Sequence, residues 1–384
     1  MRYKLFFLWI VLALFVFSGI SNAVTGKAVA AKQPAQSSPV VSQSDFDEYK
    51  EEVNNAVSGL KSQVDKVAAD NGDAKIGGTI FFRWQKYTQG GTTKNNFDVE
   101  RAYIDVKKKL GGASARVTLD VARLNNDTRK NLFDYLKYAY VDIPIAVPAV
   151  LQPIPYDLIG KVGLQHTVWI DWDDKIMGLR WIAKTLLDNE GVMSSADFGL
   201  GATGKVNIPG LPEIEYHATA LNGSGYATTE GDSAKNFDVR LNACLYKSED
   251  VGEVVLGVYS NNVGLLDSGM SASSSRWGGT LAFKNDWSTL YGEYLTGSGL
   301  NGYSGGGWLE LPANFRVFAR KDYYSPNVEV ANNQIDRLFY GVIYDLSKDV
   351  KFSADMQSVT GGSAASTSRG TTTTAFYLHT LINY

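Results

Sequence analysis

From Lys75 onward, apolar and polar residues alternate at period two in nearly every segment, the spacing of strands with one apolar and one polar face. Ala115, Val117, Leu119 and Val121 face one way, against Arg116, Thr118 and Asp120. Phe237, Val239, Leu241, Ala243 and Leu245 oppose Asp238, Arg240 and Asn242. Leu338, Tyr340, Val342, Tyr344 and Leu346 oppose Arg337 and Asp345, and Val350, Phe352, Ala354 and Met356 oppose Lys351, Ser353, Asp355 and Gln357. In the last stretch, AFYLHTLINY, Phe376, Leu378, Thr380, Ile382 and Tyr384 share one face, and Ile80, Phe82 and Trp84 of the first strand can continue it. Strands are predicted at 75–88, 97–110, 113–124, 132–142, 158–166, 194–207, 213–222, 236–248, 252–261, 275–285, 287–297, 306–311, 314–324, 334–346, 349–359 and 372–384. An even count returns both ends to one rim. The twelfth is short, and without it about fourteen is the next even number.

A soluble sandwich would alternate in the same way, with its polar face in water. Two details favour a transmembrane antiparallel up-and-down β-barrel. Very short connections at 111–112, 249–250, 285–286, 312–313 and 347–349 alternate with long polar ones near 89–95, 222–235, 262–274, 298–304, 325–333 and 360–371. Trp84, Tyr138, Tyr140, Trp277, Trp287, Tyr294, Tyr340, Tyr344 and Tyr384 fall near strand ends on the apolar face, where an interfacial girdle needs them.

The region before Lys75 reads differently. Arg2 and Lys4, an apolar run at 5–17 and Ser21-Asn22-Ala23 read as a secretory signal peptide over 1–23. Residues 24–44 lack periodicity and make a flexible linker. Over 45–70, Val53, Val57, Leu60, Val64 and Val67 recur at steps of four and three. This narrow stripe predicts a periplasmic coiled-coil helix, with a single helix at the barrel mouth as the alternative.

Composition narrows the class. No run after the leader approaches the roughly 20 apolar residues of a membrane helix, so a membrane crossing must use strands. Gly 38 against Pro 10, with Tyr 21 and Trp 8, suits strands joined by tight turns. A net charge of -3 disfavours nucleic acid as a partner. The single Cys244 and three histidines suggest neither a disulfide nor a metal or other cofactor.

Residues 167–193, TVWIDWDDKIMGLRWIAKTLLDNEGVM, are too long for a turn and too apolar for a solvated loop. Folding inward would bury Trp169, Ile170, Trp172, Ile176, Met177, Leu179, Trp181 and Ile182 against the wall. It would leave Asp171, Asp173, Asp174, Lys175, Arg180 and Lys184 at a pore constriction. The polar register places Arg83, Arg101, Arg116, Lys137, Arg240, Arg316, Arg320 and Arg337 on the pore wall, with Arg316 and Arg320 as a candidate anion ladder.

The run LIGKVGLQHTVWIDWDD, followed by SSADFGLGATGKV, resembles the fifth strand, constriction loop and sixth strand of the phosphate-selective porin family, porins O and P. FDVERAYIDVKKKL resembles its second strand and LKYAYVDI its fourth. The resemblance implies a sixteen-stranded, usually trimeric outer-membrane channel, sometimes with an N-terminal coiled coil. The family's phosphate-specific members cluster lysines and arginines at the constriction, whereas here three aspartates accompany Lys175, Arg180 and Lys184.

The function expected is a porin for passive diffusion of small hydrophilic solutes and ions, a homotrimer in outer-membrane lipid, with a mild anion preference. The alternative is a structural barrel that ensheaths a partner or tethers the outer membrane to the cell wall. An enzyme is not expected. His217, between Glu215 and Thr219 on the lumen register, is compatible with a base, but no G-x-S-x-G or metal spacing accompanies it.

Overall fold

The computed structural model describes residues 74–89, 92–123, 132–146, 156–264, 274–362 and 373–384. The signal peptide, linker and coiled coil expected at 1–23, 24–44 and 45–70 lie outside the described residues.

Sixteen strands follow in order: β1 (Lys75–Gln89), β2 (Thr92–Leu110), β3 (Ala113–Arg123), β4 (Leu132–Pro144), β5 (Tyr156–His166), β6 (Ala196–Val206), β7 (Ile214–Leu221), β8 (Asn236–Ser248), β9 (Gly252–Val263), β10 (Ser274–Asn285), β11 (Ser288–Gly297), β12 (Leu300–Leu311), β13 (Phe315–Ser325), β14 (Ile335–Asp345), β15 (Val350–Gly361) and β16 (Thr373–Asn383). Each pairs antiparallel with its neighbours in sequence, and β1 pairs with β16, so the sheet closes without an edge. The closing register sets Ile80 against Ile382, Phe82 against Thr380 and Trp84 against Leu378, which continues one apolar face across the seam. Gly78 and Tyr384 then exchange backbone hydrogen bonds of 3.0 and 3.1 Å.

Outside, the barrel carries an apolar belt. Leu200, Leu281, Leu290, Trp277, Trp287 and Tyr294 are all exposed there. A closed sheet satisfies every ladder hydrogen bond internally, and such a belt suits hydrocarbon better than water.

Two connections differ from expectation. The loop expected at 298–304 is a two-residue turn, Ser298 and Gly299, with φ of 52° and 78°. β12 therefore runs over Leu300–Leu311 instead of 306–311. Its glycines read as loop, yet a strand ladder uses only backbone groups, and Leu300 pairs with Gly297 and Asn301 with Ser325. Similarly, most of the loop expected near 89–95 belongs to β2, which begins at Thr92.

The girdle also needs correction. Tyr138 and Tyr140 are buried on the inner face, at 3% and 9% exposure. In β4, Thr118 pairs with Tyr138 while the next residue, Leu119, pairs with Leu136, so Lys137 is an extra, bulged residue. A bulge shifts the alternation by one position. Leu136 stays outward, at 41% exposure, while both tyrosines turn in. A second bulge at Glu100 lies between the pairs Phe81–Arg101 and Phe82–Val99 and places Glu100 and Arg101 side by side toward the lumen.

Leu281, outward near the middle of β10, checks the lipid-facing assignment. Leu281→Arg should lower the unfolding free energy in lipid vesicles by about 2–4 kcal/mol if it sits near the bilayer midplane. An unchanged denaturant midpoint would show that this face does not meet hydrocarbon.

Candidate functional site

The β5–β6 connection, residues 167–195, folds back inside the barrel. It contains two short helices, α1 (Ile170–Met177) and α2 (Leu186–Glu190). Gly178 and Gly191, at φ 68° and 64°, end them in the left-handed conformation. The Thr185 side chain accepts from the Asp188 N–H at the start of α2. α1 buries Ile170, Asp173, Ile176 and Met177, spaced to lie on one helical face.

That face lies against β9–β14. Val168, Trp169, Ile170, Leu186, Leu187, Val192 and Met193 pack with Tyr259, Leu295, Leu300, Tyr324 and Ile335. Leu179, Trp181 and Ile182 pack with Phe318, Phe339, Ile343 and, across the seam, Phe81 and Leu381. Each such buried side chain contributes about 1.5–3 kcal/mol, so the loop is held as a core would be. Two wall glycines form its seats. A Cβ on Gly257 would come 2.2 Å from the Trp172 ring, and one on Gly302 would come 3.1 Å from Leu186.

Wall arginines bond three of the loop's carbonyls. Arg240 donates to the Val168 carbonyl, Arg276 to that of Val192 and Arg320 to that of Lys184, each at 2.6 Å. Arg320 also grips Asp322 with two bonds of 2.7 and 2.6 Å, and Arg337 pairs with Glu190 of α2. Arg320 is 2% exposed and Arg316 8%, the latter bonded to Asp345 at 2.7 Å beside the Trp308 ring. The expected anion ladder is therefore not in the lumen water. Arg240, Arg320 and Arg337 are anchors of the loop, because the loop lies over them. Asp173 also departs from expectation, being fully buried and bonded by Thr280 at 2.9 Å on the wall side of α1. Burial pushes its carboxyl up, to about 6.

The open space lies opposite, along β1–β4. One cavity of about 430 Å³ is bounded by Tyr103, Arg116, Lys137 and Tyr138 on the wall and by Asp171, Asp174, Lys175 and Arg180 on the loop. Another, of about 770 Å³, is bounded by Arg83, Glu100 and Arg101 with Lys184. The ion pair of Arg180 with Glu100, 3.5 Å, joins the two linings. Arg83, Arg101, Arg116 and Lys137 thus remain on the open side, facing Asp171, Asp174, Lys175, Arg180 and Lys184.

Charges on this side are mostly interlocked. Arg101 bonds Asp120 at 2.6 Å, Arg116 bonds Asp105 at 2.8 Å, and Lys184 bonds Asp188 at 3.0 Å. Asp171 accepts from the Tyr138 hydroxyl at 3.0 Å and pairs with His166, itself 2.9 Å from Arg116. Burial alone would raise the Asp171 acid, but His166, Lys137 and the Tyr138 hydroxyl outweigh it and hold it below the usual carboxylate range. Asp174 behaves oppositely. Burial, reinforced by Asp171, Asp188 and Asp173, pushes its carboxyl up to about 8 against the pull of Arg180 at 3.7 Å.

The closed barrel has counterparts among solved structures. OprB of Pseudomonas putida matches with a TM-score of 0.59 at 9% identity, over 83% of this chain and 96% of that one. OmpF of Salmonella typhi, in a complex with daunomycin, matches at 0.56 and 10% identity, over 82% and 99%. An anion-selective porin from Comamonas acidovorans matches at 0.54 and 9% identity, over 81% and 99%. The fold is the porin fold. No protein-family model matches the sequence, and neither does any curated protein.

Within this porin fold, the apolar residues on the lumen register of β9, β13 and β14, namely Tyr259, Phe318, Phe339 and Ile343, are the sequence signal for where the loop lies. Arg276, whose guanidinium holds Val192, belongs with the anchors as well.

The clamp can be tested at Arg320. Arg320→Met leaves Asp322 buried without its partner and should cost about 3–5 kcal/mol, whereas Arg320→Met with Asp322→Val should recover most of that loss. Trypsin cleavage at Arg180 or Lys184 should appear in the single variant. Equal resistance in both variants and the parent protein would mean that the clamp does not hold the loop.

Proposed function

We propose that the chain is an outer-membrane diffusion channel, passing small hydrophilic solutes and ions down their gradients without chemistry or a cofactor. The observation that carries this reading is the loop 167–195 packed on one side of the lumen, leaving charge-lined space along β1–β4. In this reading Asp174, Lys175, Arg180 and Lys184 form one side of the constriction, with Arg101 and Lys137 opposite. A barrel that ensheaths a protein partner is less well supported, since the loop occupies the space such a partner needs. Phosphate specificity has little support too, because carboxylates interleave with the cations throughout.

A mild anion preference at neutral pH follows from the acids' differing environments. With Asp174 largely protonated, Arg116, Lys137, Lys175 and Arg180 outnumber Asp105 and Asp171 in the cavity they share. The stripe of Val53, Val57, Leu60, Val64 and Val67 supports trimer formation through a periplasmic coiled coil, and residues 1–23 support export.

Planar-bilayer recording should give stable conductance in steps of three, and a correctly folded barrel that conducts nothing would refute the channel. In a salt gradient the reversal potential should show anion preference below about pH 8 and drift toward cations as Asp174 ionises above it. Arg180→Glu should produce the same drift at all pH values, and no shift would remove the loop from the ion path.

A further inference from the structure

Asp105 and Asp171 are held by partners in the 430 Å³ cavity, whereas Lys137 is not held by a carboxylate. Lys137 is 8% exposed, its ammonium donates to the Tyr103 hydroxyl at 3.3 Å, and among the described residues no carboxylate forms an ion pair with it. Instead it lies 4.6 Å from the Tyr103 ring centroid and 5.3 Å from that of Tyr138. Across the cavity Arg180 faces Glu100 and Asp174 at 3.5 and 3.7 Å, beyond hydrogen-bond distance, and its Nη1 has no hydrogen-bond acceptor. Two cations with unfilled donor positions thus border one space.

Aromatic and aliphatic side chains lie among the polar ones of that lining, which also include Thr79, Thr118, Asn383 and, on the loop, Asp174 and Lys175. Phe81 meets Tyr103 edge to face at 5.8 Å, the Arg180 guanidinium lies 5.6 Å from the Phe81 centroid, and Trp181 and Leu381 complete the apolar part. A site built only for a hydrated inorganic ion gains nothing from these rings, since such an ion offers them no apolar surface. A solute with an anionic head and a flat apolar body satisfies both halves: its head takes the free donors of Lys137 and Arg180, and its body covers Phe81 and Tyr103.

We infer that this cavity is a selectivity site for amphiphilic organic carboxylates, aromatic acids foremost, whose passage the channel favours over that of inorganic anions. The inference rests on the channel reading above. The bulge in β4 builds the site, because it turns Lys137 and Tyr138 to the same side of the sheet.

Conductance of the full-length protein in planar bilayers separates the two ideas. Potassium chloride alone should carry current, and its absence would overturn the channel reading itself. Adding potassium benzoate in the millimolar range should reduce chloride current in a saturable way, while equal potassium phosphate should not. Lys137→Gln should raise the half-blocking benzoate concentration about tenfold, the loss of one charge-assisted contact, and Lys137→Arg should restore most of it. Lys247→Gln, on an exposed rim side chain, serves as the surface-charge control and should leave the block unchanged. Chloride current unaffected by benzoate, equal block by phosphate, or an equal effect of Lys247→Gln would overturn the inference. Heat-modifiable gel mobility identifies folded barrels, and should Lys137→Gln not fold, Phe81→Leu weakens the apolar half of the site and carries the same expected outcome.

Discussion

A loop inside a barrel is a buried loop, and its peptide carbonyls need donors once water is displaced. The wall supplies them as guanidinium groups. Arg240, Arg276 and Arg320 reach the carbonyls of Val168, Val192 and Lys184, and Arg337 meets Glu190. Arginine suits this task because its fork can bond a wall carboxylate and a loop carbonyl together, as Arg320 does with Asp322 and Lys184. Once the loop is pinned on β9–β14, the rest follows. Apolar residues on that inner wall acquire partners, Asp173 is sealed beneath α1, and the remaining lumen is pushed toward β1–β4.

The barrel itself was legible because closure imposes period two on every strand, and lipid outside with water inside keeps the two faces chemically distinct. The shared face of the seam could be read too, since Ile80, Phe82 and Trp84 were expected to continue the apolar face of the last strand, and the structure pairs them with Ile382, Thr380 and Leu378. The loop stood out because Trp169, Trp172 and Trp181 within a few residues cannot remain in water. Three things were hidden. Bulges at Glu100 and Lys137 leave no local signature, and the one at Lys137 moved Tyr138 and Tyr140 from the expected girdle to the lumen. The glycines of β12 imitate a loop while their backbones pair normally. The side on which the loop settles depends on contacts between residues more than a hundred positions apart, such as Trp169 with Glu293.

The basic residues show why charge counting along a polar register misleads. Arg101 and Arg320 occupy equivalent inward positions, yet one borders open space and the other is sealed under the loop. A lumen surplus estimated from all inward arginines therefore includes groups whose field ends in a carbonyl or carboxylate within a few ångströms. Only those bordering the cavities act on a passing solute.

Burial makes the same distinction among the acids. Asp171 and Asp174 are three positions apart on α1 and line the same cavity, but Asp171 has His166 and the Tyr138 hydroxyl as partners while Asp174 has only the distant Arg180. One stays anionic and the other is pushed toward neutrality at ordinary pH. The sign of the field in this passage is therefore set by how each charge is partnered, and the β4 bulge contributes to it by turning inward a lysine that, among the described residues, forms no ion pair.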